Sequence, residues 1–207
     1  MEVRTIIKLG GVCMMISGPV LGYSYITHPT HMTPEVIGSP FWILIHALFA
    51  LSLALGLLGT LALYAPGATR SGVPGLVGFV TLFVGMMMIF GLDYYETLIA
   101  PYLAVHYPQV IADHGPGDAM GPVAIFFPLA GMMTVVGYAL LGAAWLGNSI
   151  VSRQLGASLI VTALAFGFGL SPFGGLMAAR ITAAAFGLCL TGIGFAAWRN
   201  ADRFQPA

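Results

Sequence analysis

Residues 75–98 read GLVGFVTLFVGMMMIFGLDYYETL. About 18 positions pass without a charge, roughly 27 Å of helix at 1.5 Å per residue, close to the hydrocarbon thickness of a bilayer. Asp93 and Glu96 then arrive among tyrosines. This stretch predicts a membrane-crossing helix with its polar end marked by two acids. Working outward, five further apolar stretches appear at 6–26, 41–64, 122–146, 157–172 and 176–198. The breaks carry turn chemistry: His28-Pro29 through Ser39-Pro40, Ala65-Pro66-Gly67, Tyr107-Pro108 through Gly121-Pro122, and Ser171-Pro172-Phe173-Gly174-Gly175. The expected fold is all-α, a six-transmembrane-helix bundle forming a single transmembrane domain over 1–207.

Composition agrees. Of 207 residues, 58% are hydrophobic and 7% charged, where soluble domains carry about a quarter charged residues. Net charge is zero and no basic tract occurs, which argues against nucleic acid as a partner. Cys13 and Cys189 lie in apolar runs, with neither the pairing nor the spacing of a disulfide framework or zinc knuckle. The N-terminal run is expected to be a retained first helix, since no small-x-small cleavage site follows it, and no soluble domain is expected at either end.

Orientation follows from the cations. Across six spans, Arg4, Lys8, Arg70, Arg153, Arg199 and Arg203 all fall on one side, which the positive-inside rule makes cytoplasmic. Both termini are then cytoplasmic, and the expected location is a bacterial inner membrane. All five histidines, with Glu35, Asp93, Glu96, Asp113 and Asp118, fall on the outer side.

That outer side holds the candidate chemistry. Asp93 and Glu96, spaced i, i+3, share one helix face. His46 enters the preceding helix at similar depth. One imidazole and two carboxylates suit a divalent metal, so His46, Asp93 and Glu96 form the first candidate metal set. The competing reading is that these residues serve helix packing, with Asp93 marking where the helix leaves the hydrocarbon. A second candidate is built from the outer-loop histidines His28, His31, His106 and His114, one of which is also a second axial ligand for a haem held by His46. Solvated polar loops are the plain alternative. Tyr23, Tyr94 and Tyr95 suit an aromatic rim around a cofactor or an interfacial belt. Arg180, the cation on the outer side, is expected to snorkel, to pair with Asp93 or Glu96, or to hold an anionic head group.

Glycine is abundant, with 28 residues, and Gly18-x-x-x-Gly22 and Thr191-Gly192-x-Gly194 are close-approach patterns. They serve packing within the bundle, or partners and homo-oligomers. Met86-Met87-Met88 points to different helix faces and suits apolar filling better than copper. No HExxH, P-loop, GxSxG or clustered histidine box is present, so no catalytic motif supports an enzyme. The functional expectation is a membrane protein whose outer polar cluster binds a metal, haem or small amphiphile. An accessory subunit of a larger membrane complex and a small proton-coupled transporter are the alternatives.

Overall fold

The computed structural model describes residues 2–113, 123–147 and 151–203. Nine α-helices are seen among them, and no strand. They are α1 (Val3–Thr27), α2 (Pro34–Ile37), α3 (Pro40–Tyr64), α4 (Ala68–Tyr94), α5 (Ala100–His106), α6 (Pro108–Asp113), α7 (Val123–Leu146), α8 (Arg153–Leu170) and α9 (Gly175–Asn200).

Local chemistry sets the ends. Ser39 caps α3, its hydroxyl accepting from the Trp42 N–H at 3.2 Å, with Pro40 in the first turn. Ser152 caps α8 in the same way through the Leu155 N–H. Gly72, at φ 58°, breaks the helical path near the start of α4, where an L side chain would be strained.

The long helices α1, α3, α4, α7, α8 and α9 pack in that order, and α9 closes against α1. Glycine makes several of these seams. Gly18 of α1 meets Gly187 of α9 backbone to backbone, and Gly11 meets Gly194. Gly85 and Gly137 do the same for α4 and α7. The close-approach residues therefore lie at packed seams within this bundle. Ser17 and Ser52 clamp α1 to α3 reciprocally: each hydroxyl donates to the other residue's carbonyl, at 2.8 and 3.1 Å. Tyr138, Phe166, Phe186, Leu82 and Met86 fill the interior, while Met87 turns outward.

The outer faces are apolar too. Ile181, Leu188, Val161 and Leu58 are all exposed. Five helical stretches are long and apolar enough to cross a membrane: Val3–Thr27, Pro40–His106, Ile125–Leu146, Arg153–Leu170 and Gly175–Asn200. An apolar interior and apolar outer faces together suggest a lipid bilayer as the solvent. The second stretch, 67 residues, is not one straight rod. It folds back on itself, so that α3 packs against α4 and the turn after it.

The helix expected at 75–98 is longer in the structure. A π-helical turn, Tyr95–Ile99, joins α4 to α5, and helix continues to His106. The loop expected between the first two spans contains α2, which packs on α5 through Ile37, Ala100 and Ala104, with Trp42 beneath. This small apolar cap covers the end of the bundle where the polar cluster sits. At the opposite end the chain's two ends meet in an ion pair between Arg4 and Asp202.

Candidate functional site

The site begins with two residues one turn apart on α3. Trp42 and His46 are spaced i, i+4 and share a helix face, with ring centroids 4.6 Å apart. Asp93, near the end of α4, faces them because the chain reverses between α3 and α4. His46 Nδ1 and Asp93 Oδ1 are 2.8 Å apart. Both residues are buried, at 9% and 3% exposure. The π turn after Asp93 contributes as well: the Glu96 carbonyl accepts from Trp42 Nε1 at 3.0 Å. Such turns leave backbone carbonyls open to outside donors.

His28 caps this pair from the end of α1. Its ring lies 5.3 Å from both His46 and Trp42. Arg180 of α9 donates from Nη2 to the His28 carbonyl at 2.8 Å. It therefore holds the α1–α2 connection and forms no ion pair with an acid among the described residues. Tyr25, wedged edge-on between Phe49 and Phe166, brings its hydroxyl within electrostatic reach of Asp93.

Three buried polar atoms here have no hydrogen-bond partner among the described residues: His46 Nε2, Asp93 Oδ2 and Arg180 Nε. With the imidazole neutral and its Nδ1–H donating to an ionised Asp93, Nε2 carries the free lone pair. The pair thus presents two acceptors, and Arg180 a donor. Leaving such groups unmet costs about 1–3 kcal/mol each. A ligand with a hydroxyl or amine would satisfy the acceptors.

The other sequence candidates separate. Glu96 is half-buried beside the pair. Yet no group of three His, Cys, Asp or Glu side chains able to hold a metal occurs among the described residues. Tyr23 and Tyr94 are exposed, at 49% and 55%, and Tyr95 packs against the Trp42–Ile37 cap. Of the loop histidines, His31 is exposed. The His106 ring lies tilted against Tyr102, centroids 4.4 Å apart, and only His28 joins the site. His114 and Asp118 lie outside the described residues, as does the side chain of Asp113. Sequence reasoning missed Trp42 and Tyr25 and did not place His28 against His46. The spacing of Trp42 to His46 was a legible signal; the approach of His28 and Tyr25 was not.

Burial is the largest influence on His28 and holds its pKa below the usual 6.5, with His46 and Arg180 acting in the same direction; its bond to the Pro29 carbonyl opposes them. The folded state therefore favours neutral His28. As pH falls through 6.5 the unfolded state takes the proton first, so stability from this residue is intact above that value and declines below it. Acidification from about pH 7 to about pH 5 should shift the emission of Trp42, against which His28 packs. His28→Gln should remove the shift, and a shift of unchanged size in that variant would show that another group titrates.

Comparison with protein-family models, with curated proteins and with solved structures gives no match to this chain.

Proposed function

We propose that this protein is a six-span integral membrane protein of a bacterial inner membrane, with both termini cytoplasmic. It binds a small amphiphile at its outer end. The polar head of the ligand, bearing a hydroxyl or amine, bonds to His46 Nε2 and Asp93 Oδ2. Arg180 takes an acceptor on the same head, and Trp42 and Tyr25 flank it. The cytoplasmic assignment is supported by Arg4, Lys8, Arg70, Arg153 and Arg199, which alternate through the chain so that six crossings collect them on one side.

The carrying observation is the half-satisfied His46–Asp93 pair, whose buried Nε2 and Oδ2 have no hydrogen-bond partner among the described residues. Such a pair away from water is a functional-site signal. The absence of a third ligand among the described residues favours an organic head group over a metal.

The test is chemical. The protein is purified in mild detergent and extracted into organic solvent, and small molecules are identified by mass spectrometry, alongside an absorption spectrum and metal analysis. An amphiphile near one per chain is expected, lost in His46→Ala. Equal recovery from both proteins would sink the assignment, and a stoichiometric metal or a Soret band would replace it with a metal or haem site. A fixed membrane partner that co-purifies without any ligand would favour an accessory subunit, and substrate-driven uptake in vesicles a transporter.

A further inference from the structure

We infer that the end of the bundle opposite the His46–Asp93 pair carries a binding site for an anionic glycerophospholipid. A groove of about 300 Å³ opens there, lined by Glu2, Arg4, Thr5, Lys8, Leu9, Val12 and Trp198. Its residues come from the first turns of α1 and the last turns of α9, the two helices that meet along their glycine seam.

The lining divides by chemistry in the way a phospholipid does. Lys8 has no ion pair among the described residues. Arg4 is shared with Asp202, both half-exposed, and the Glu2 carboxylate also lines the groove. Lys8 is thus the cation free for a phosphodiester, with Arg4 beside it. Trp198, about half exposed near the end of α9, presents an indole, a side chain favoured at head-group level. Below these, Leu9, Val12 and Ile16 are exposed on the lipid-facing side of α1. Their i, i+3, i+7 spacing forms one stripe about 10 Å long, directed away from the chain ends. An acyl chain laid along that stripe places its phosphate at Lys8. The occupant is a membrane lipid rather than a soluble anion, because the apolar stripe continues the groove toward the hydrocarbon.

Basic residues near a membrane surface favour anionic lipid by a factor of about five each. The protein is reconstituted in phosphatidylcholine vesicles, and brominated phosphatidylglycerol or brominated phosphatidylcholine is titrated in. Quenching of Trp198 is read as the difference from Trp198→Phe. Half-quenching is expected at about fivefold lower mole fraction of the brominated phosphatidylglycerol. Lys8→Gln should bring the two lipids together, and Lys8→Arg should keep them apart. Equal quenching by both lipids in the unaltered protein, or a preference that survives Lys8→Gln, overturns the assignment. The site at His46 is not involved, so this outcome is independent of the ligand proposed there.

Discussion

Gly18→Leu should separate α1 from α9 and cost about 3 kcal/mol or more, the upper end for overpacking. A Cβ at Gly18 runs into the Gly187 carbonyl and the Thr191 hydroxyl. Backbone cannot yield as the tip of a flexible side chain does. Even Gly18→Ala should destabilise measurably. Gly22, one turn away, faces only the Ala184 Cα at 3.5 Å, an ordinary contact, and Gly91 faces nothing within 4 Å. Gly22→Ala should therefore be close to neutral. Gly91→Ala should be neutral or slightly stabilising, since alanine favours helix by up to about 1 kcal/mol. Unfolding midpoints in a denaturing detergent titration rank the four variants. If Gly18→Ala and Gly22→Ala lose equal stability, the close seam does not lie where the structure places it.

His46→Ala or Asp93→Ala alone should each cost about 3–5 kcal/mol, because each strands the other partner's polar group in a buried setting. The double variant should lose less than the sum of the two, by about 2 kcal/mol. Additive losses would show that the pair does not interact. Asp93→Asn separates stability from binding. Its amide oxygen can still accept from Nδ1–H, so the fold should survive nearly intact. The carboxylate charge is gone, however, and capture of a hydroxyl or amine head at this site should fall sharply. Full ligand recovery from Asp93→Asn would remove Asp93 from the binding machinery.

The two halves of Gly18-x-x-x-Gly22 illustrate how far local pattern reaches. The sequence marks both as small residues on one face. Only packing shows that Gly18 sits at the crossing with α9 and Gly22 just past it. Met86 to Met88 behave similarly: their divergence is helix geometry, legible at once, while the choice of Met86 as the buried member belongs to the assembled bundle.

The site divides along the same line. Residues 75–98 reveal by themselves an apolar crossing that ends in acids, because the cost of placing side chains in hydrocarbon depends on composition along one helix. The i, i+3 spacing of Asp93 and Glu96 fixes a shared face for an ideal helix. It does not foresee the π turn at Tyr95, which gives Glu96 its backbone role toward Trp42. The helix content and apolar outer faces were likewise determined locally. Which polar groups meet was not. His46 finds Asp93 because the chain reverses after α3 and sets the register of α4 against it. His28 arrives from α1, and Arg180, from α9, bonds to the His28 carbonyl rather than to Asp93 or Glu96, one of the partners the sequence offered. Those encounters depend on helix register and crossing, set by glycine seams among residues far apart in sequence, and only the tertiary structure decides them.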